Sequence, residues 1–276
     1  MKFIDLKLQD EKIRKNILRK INNIVSKNDF INGQINRKVE DKFSKKYKLG
    51  YSSLVSSGTD ALYLALRLLK TKYKKGEIIT TPFTFFSPSE TILNAGFKPV
   101  YADINLFDYN ISVKSIKAKI NKNTIAILPV HIFGYPCDMH KIMKLAKKHN
   151  LFVIEDCAQA HGALYKGKSV GSIGHINAWS FCQDKIITTG GEGGMVTTND
   201  KDLWLNAWSY KDHGKNWKKT HVKHVTPGFK WVHDTIGTNW RMTAMQAAIG
   251  RVQIQKLPNW GRIPRHNMEA LYHTIQ

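Results

Sequence analysis

The sequence predicts an α/β protein, a mainly parallel sheet held between two helical layers in a three-layer α/β/α arrangement. Two observations predict it. Short apolar or β-branched runs that end in polar residues (EIITT, KPVYADI, TIAILPV and LFVIED) alternate with helical stretches such as PSETILNAG and DMHKIMKLAKKHN. The chain is also long enough, at 276 residues with 42% apolar, to bury a sizeable core in one large domain or two modest ones.

The elements follow in chain order. Residues 9–27 carry Ile13, Ile17, Leu18, Ile21 and Ile24 at three- and four-residue spacing among lysines, the pattern of an amphipathic helix. After the turn-like INGQ, a second helical stretch runs through Val39 and Phe43. A short apolar segment, YSSLVSSG, leads into the amphipathic helix TDALYLALRLLK, and the strand–helix alternation begins there. Later, HINAWSF and GGMVTTND read as two strands around a glycine-rich loop, and a helix, RMTAMQAAIGRVQIQKL, is expected from about Asn239. No internal repeat or low-complexity linker interrupts this order.

Composition excludes several classes. The apolar share rules out disorder and collagen-like chains. No run of eighteen apolar residues exists, so no transmembrane helix is expected. The opening MKFIDLKLQDEKIRKNILRK has neither the apolar core nor the small-residue cleavage site of a signal peptide. Cys137, Cys157 and Cys182 cannot form a fully paired framework and include no C-x-x-C, so they read as reduced thiols in a cytoplasmic protein. The net charge is +22, from 43 Lys and Arg against 21 Asp and Glu. These cations are spread along the chain without a nucleic-acid motif, which favours general attraction of small anions over nucleic-acid binding.

In an open parallel sheet, ligands gather at the carboxyl ends of strands, and four features fall there. Ser57-Gly58-Thr59 opens a helix, where free N–H groups and the dipole suit a phosphate, although the same residues also make an ordinary N-cap. Asp156, with Gln159 after it, ends an apolar strand. It needs a partner such as a protonated ring nitrogen, or else caps the following turn. Lys185 stands between a strand and a loop holding Gly190, Gly191, Gly193 and Gly194. It reads as a nucleophilic amine or as a solvated lysine, and Ser180 before it offers a hydroxyl to a phosphate. The loop lacks the G-K-[ST] ending of a Walker sequence. Phe85, in Thr81-Pro82-Phe83-Thr84-Phe85, is placed to lie flat on a planar cofactor or to pack in the core.

Taken together, INGQINRKVEDKFSKKY, VSSGTDALYLAL, TTPFTFFSPSETILNAGFKPVYADI, PVHIFGYPCDM, VIEDCAQAHGA, SFCQDKIITTGGEGGMVTTND and GTNWRMTAMQAAIGRVQIQKL resemble, in order and spacing, the sugar aminotransferases of the DegT/StrS family. These enzymes depend on pyridoxal 5′-phosphate (PLP). The resemblance spans nearly the whole chain and implies the major domain of the PLP-transferase fold type I. By resemblance, Lys185 is the lysine that carries PLP, Asp156 pairs with the pyridine nitrogen, and Gln159 faces the ring hydroxyl. Phe85 takes the place of the stacking aromatic. Gly58, Thr59 and Ser180 match phosphate contacts, and Asn239 resembles a residue that reaches the phosphate from the neighbouring subunit of a homodimer. The implied reaction moves an amino group from an amino acid, typically glutamate, to a keto sugar on a nucleotide diphosphate. Relatives that dehydrate sugars carry His in place of Lys185.

Family members are typically longer. The resemblance therefore implies a PLP-binding major domain over residues 1–245, with residues 246–276 beginning a small C-terminal domain that is mostly missing. Two expectations follow: an exposed apolar face on MQAAIGRVQIQKL, and a PLP-binding homologue with impaired catalysis as the alternative to a working enzyme. The stretch 209–237, rich in His, Lys and Trp, is a candidate for diphosphate or sugar contacts or else a long basic loop. His213, His221, His224 and His233 lack paired zinc spacing, so no metal is expected.

Overall fold

The computed structural model describes residues 11, 13–221 and 233–260. Two amphipathic helices come first, α1 (Arg14–Lys27) and α2 (Gln34–Tyr47). The alternating region comprises β1 (Tyr51–Val55), α3 (Gly58–Leu69), β2 (Glu77–Thr80), α4 (Ser87–Asn94), β3 (Lys98–Tyr101), α5 (Val113–Lys119), β4 (Thr124–Ile127), α6 (Met139–His149) and β5 (Phe152–Asp156). A small hairpin, β6 (Leu164–Tyr165) and β7 (Lys168–Ser169), precedes β8 (Ile176–Ser180) and β9 (Gly194–Thr198). The last described elements are α7 (Lys201–Lys211), α8 (Trp217–His221) and α9 (Ala244–Trp260).

Seven strands form one sheet in the order β1-β9-β8-β5-β4-β2-β3. Only β9 runs against the others, pairing antiparallel with both β1 and β8, so the predicted mainly parallel sheet is what forms. The segment YSSLVSSG supplies β1, and the residues after it begin α3, capped by Ser57 Oγ accepting from the Asp60 N–H at 3.0 Å.

Strand alternation sends successive side chains to opposite layers. Val55, Ile78, Ile154, Ala178 and Val196 pack with the α3 residues Ala61, Leu64 and Ala65 and with Ala207 of α7. Ile79, Ile127 and Val153 face Ile116 of α5 and Ile142 and Ala146 of α6. Leu54, Trp179 and Met195 meet Phe43 and Tyr47 of α2 and Ala247, Ile254 and Leu257 of α9. Trp179 is fully buried, and its indole N–H is satisfied by Thr197 Oγ1 at 3.0 Å.

Two expectations at the last helix are corrected. The helix starts at Ala244 rather than near Asn239, because residues 239–243 are held extended by bridges from Asn239 to Asp212 and from Thr243 to Ile31. The apolar residues of MQAAIGRVQIQKL are not left exposed: Ala247, Ala248, Val252, Ile254 and Leu257 are all buried. Helices α1 and α2 cover them, with Ile24 of α1 against Ala244 and Ala248 and Phe43 of α2 in the cluster that holds Ile254. Among the described residues no helix is long and apolar enough to cross a membrane.

Candidate active site

Parallel strands bring their carboxyl ends to one rim, and the chain order decides which side chains stand there. Asp156 is the last residue of β5 and Ser180 the last of β8. Gly58 and Thr59 open α3 just past β1, and Phe85 follows β2. Because β9 runs backwards, its first residue, Gly194, lies at this rim too, paired with Ser180 on one side and Val55 on the other. The glycine-rich loop therefore arrives at the same place. Gly190 and Gly191 hold φ of 92° and 131°, a region that side chains with a Cβ rarely occupy.

Gly58 and Ser180 are in direct contact. A Cβ on Gly58 would lie 2.5 Å from Ser180 Cβ and 2.9 Å from its Oγ, so only glycine leaves room for that approach. Thr59 Oγ1 accepts a hydrogen bond from Ser87 Oγ at 2.9 Å. This corner offers a helix N-terminus, hydroxyl groups and bare backbone, the donor set an anionic phosphate needs.

Asp156 is buried. Its Oδ1 accepts the Ala158 N–H at 3.0 Å. Burial pushes its carboxyl above the usual carboxylate range, while the Ala158 N–H, the neighbouring His131 and the charge of Lys185 work against that rise. A buried carboxylate with one oxygen tied to the backbone suits a cationic ring nitrogen as its remaining partner. Gln159 is half-buried, and its Oε1 accepts the Phe133 N–H at 2.8 Å. That bond fixes the amide orientation and turns its N–H₂ into the donor available to a ligand.

Lys185 lies in the loop after β8 with its side chain 21% exposed and its Nζ 2.8 Å from Asp184 Oδ2. Its charge acts on both Asp156 and His161. Phe85 is 74% exposed after β2, two residues from Phe83, whose ring stacks on Tyr109 with centroids 5.7 Å apart. Asn239 stands apart: it is exposed and bridged to Asp212, and no described contact joins it to the other candidates. Of the stretch 209–237, residues 222–232 lie outside the described residues, His224 among them. His213 and His233 are linked by a hydrogen bond from the His233 ring to the His213 carbonyl, and His221 stacks on Trp217.

Several buried polar residues around the rim escaped sequence reasoning. Glu155 sits inside β5 on the opposite face to Asp156. It accepts the N–H groups of Gly171 and Ile173 at 2.9 Å and that of Gly174, and meets His131 Nε2 at 3.0 Å. His131 Nδ1 accepts from the Cys137 N–H, so its proton lies on Nε2, toward Glu155. Burial works to raise the Glu155 pKa, but His131 and the backbone donors outweigh it and hold the carboxyl below its usual range. Among the described residues, His131, Glu155 and Cys157 bring metal-type ligand atoms within 4.8 Å of one another. The histidine nitrogens and carboxylate are engaged in these hydrogen bonds, and burial pushes the Cys157 thiol up to about 12, away from the thiolate a metal requires. The one available signal was a charged residue inside the apolar run LFVIED.

The profile of the DegT/DnrJ/EryC1/StrS aminotransferase family matches residues 11–275, and the chain belongs to this family. It is 42% identical over 233 residues to GDP-perosamine synthase of Escherichia coli O157:H7, covering 84% of this chain and 59% of that protein. It is 38% identical over 255 residues to the UDP-N-acetyl-3-dehydro-alpha-D-glucosamine 3-aminotransferase of Acidithiobacillus ferrooxidans, covering 92% and 66%. The solved structure of an aminotransferase from Psychrobacter cryohalolentis superposes with a TM-score of 0.85 at 48% identity, over 88% of this chain and 62% of that one. The chain thus spans about three fifths to two thirds of the length of these relatives. The family's cofactor is PLP, and the rim fits it. At the Gly58–Ser180 corner the start of α3 and the Ser180 hydroxyl are held in direct contact by the missing Cβ, which sets phosphate-type donors side by side, and Asp156 is a buried carboxylate in need of a cationic partner.

Proposed function

We propose that this chain is the PLP-binding part of a transaminase acting on nucleotide-linked keto sugars, in amino-sugar, surface-polysaccharide or lipopolysaccharide biosynthesis. An amino acid, L-glutamate, gives its amino group to the keto carbon of the sugar. The products are a 2-oxo acid and an amino sugar, so the exchange balances without an outside oxidant or reductant. What supports the reading is that Asp156 and Ser180 end neighbouring strands, the Gly58–Thr59 helix start lies against Ser180, and Gln159 and Lys185 follow in the loops after those strands, in a chain that belongs to an aminotransferase family.

When bound, PLP supplies an electron sink for the carbon that exchanges the amino group. Lys185 Nζ carries the cofactor and then moves the proton at the donor α-carbon, first as base and then as acid. Asp156 keeps the ring nitrogen protonated by offering a buried anionic partner. Gln159 donates its amide N–H to the ring hydroxyl, and Gly58, Thr59 and Ser180 hold the phosphate at the start of α3. Phe85 lies on the ring face.

The working form is a homodimer in which Asn239 contributes to the partner's phosphate site. An exposed aromatic patch supports this: Phe83, Phe85, Phe133 and Tyr135 beside the rim are 42–74% exposed, apolar surface that a second subunit would cover. The division expected from the sequence, a cofactor domain over 1–245 and a small domain beginning at 246–276, is kept as a proposal, with α9 (Ala244–Trp260) crossing the boundary and its Ala247, Ile254 and Leu257 packed in the core of the cofactor domain. A cytoplasmic setting accords with the free thiols of Cys137, Cys157 and Cys182.

The test is the visible spectrum of the purified chain with PLP, before and after L-glutamate, beside Lys185→Ala. A cofactor band that glutamate converts in the wild type, and that Lys185→Ala never develops, supports the assignment. A folded wild-type chain that shows no such band overturns it.

A further inference from the structure

Around Asn239, three distant stretches of chain converge on one buried carboxylate. Asp212, 1% exposed, ends α7. Its Oδ1 meets Lys215 Nζ at 3.1 Å and an Arg241 terminal nitrogen at 3.2 Å, and its Oδ2 accepts from Asn32 Nδ2 at 2.9 Å. Asn32 belongs to the INGQ turn, which is docked on the same segment. Asn36 Nδ2 donates to the Met242 carbonyl at 2.9 Å, and the Ala244 N–H donates to the Phe30 carbonyl at 2.8 Å. A buried carboxylate fixed by two cations and an amide is a rigid anchor.

Arg241 uses that anchor to reach Asn239. Its Nε–H donates to Asn239 Oδ1 at 2.9 Å while its terminal nitrogen holds Asp212. The backbone of Asn239 is itself bridged to Asp212, so both ends of the residue are constrained. An asparagine amide can flip, presenting either an acceptor or two donors. With Oδ1 engaged by arginine, Asn239 presents the N–H₂ of an exposed side chain, the group an anionic oxygen selects.

We infer that Arg241, anchored on Asp212, is a positioning residue: it holds the Asn239 amide with its N–H₂ outward as a donor to the phosphate of the partner subunit's cofactor. This rests on the reading of Asn239 given above. The guanidinium is required because one planar fork serves the carboxylate and the amide together. A lysine keeps the charge on Asp212 and loses the second donor.

The experiment is a PLP titration of the full chain, followed by absorbance, for the wild type, Asn239→Ala, Arg241→Lys, Arg241→Met and the double variant Asn239→Ala/Arg241→Lys. Losing a hydrogen bond to a charged group predicts about tenfold to a hundredfold weaker binding for Asn239→Ala, and a loss of similar order for Arg241→Lys and Arg241→Met. The double variant binds no more weakly than Asn239→Ala alone, because Arg241 acts through Asn239. Should Arg241→Met fail to fold, Arg241→Lys, which retains the ion pair, carries the test. Wild-type affinity in Arg241→Lys, or losses that multiply in the double variant, overturns the inference and leaves the role of Asn239 intact. Wild-type affinity in Asn239→Ala overturns both.

Discussion

The start of α3 and the end of β8 meet at Gly58 and Ser180, so closely that a methyl group on Gly58 would lie 2.5 Å from Ser180 Cβ and 3.0 Å from its Cα. Gly58→Ala therefore forces the helix start away from the strand at the point where a phosphate is to be held. The expected cost is about 1–3 kcal/mol in stability, with weaker PLP binding. Adding Ser180→Gly removes the Cβ that is struck and recovers part of the stability, less the cost of a glycine in β8 and of the lost Cys182 N–H to Ser180 Oγ bond. Urea unfolding of the single and double variants checks this.

Asp156→Asn keeps the shape of the β5 end and removes its charge. With the ring nitrogen of bound PLP no longer favoured in its protonated form, the glutamate half-reaction slows by about tenfold to a hundredfold, the worth of a charge-assisted hydrogen bond. Single-turnover spectra after mixing with glutamate measure it.

His161 gives the chain a specific acid sensitivity. It is buried against Trp179 and Phe181, and burial, with the nearby Lys185 charge, lowers its pKa to about 3. The unfolded value is about 6.5. Its folded pKa is therefore depressed, and the stability tied to its neutral form is full above about pH 6.5 and lost as the pH falls toward 3. By pH 5 this one group removes about 2 kcal/mol. Unfolding free energies at pH 7 and pH 5 show a smaller drop in His161→Gln than in the wild type. Equal drops refute the assignment.

Glu155→Gln places an N–H₂ among donors that all point at the carboxylate, namely His131 and the N–H groups of Gly171, Ile173 and Gly174. The expected loss is about 2–4 kcal/mol. It appears as a lower urea midpoint, with PLP affinity measured on the folded fraction little changed.

Much of this protein could be read directly from its residues. The alternation of EIITT, TIAILPV and LFVIED with helical stretches predicted the parallel sheet, because strand and helix periodicities are local properties of the chain. The placement of Asp156, Ser180, Lys185 and the Gly58 helix start at strand ends followed from the same reading, since parallel strands share one carboxyl rim. Their roles came from family resemblance rather than from spacing.

Other features were decided only by tertiary contact. YSSLVSSG became an edge strand because the reversed β9 pairs with it. The face of MQAAIGRVQIQKL was buried because α1 and α2, more than 190 residues earlier in the chain, fold back across it. The Glu155–His131 pair and the Asp212–Arg241–Asn239 chain join residues whose partners are remote in sequence or hidden by ordinary local patterns. A buried charge is stable only beside its partner, and the sequence order of that partner leaves no periodic trace. The sequence thus determined the elements and the rim, while packing decided which polar groups are held, and in which orientation, for the chemistry.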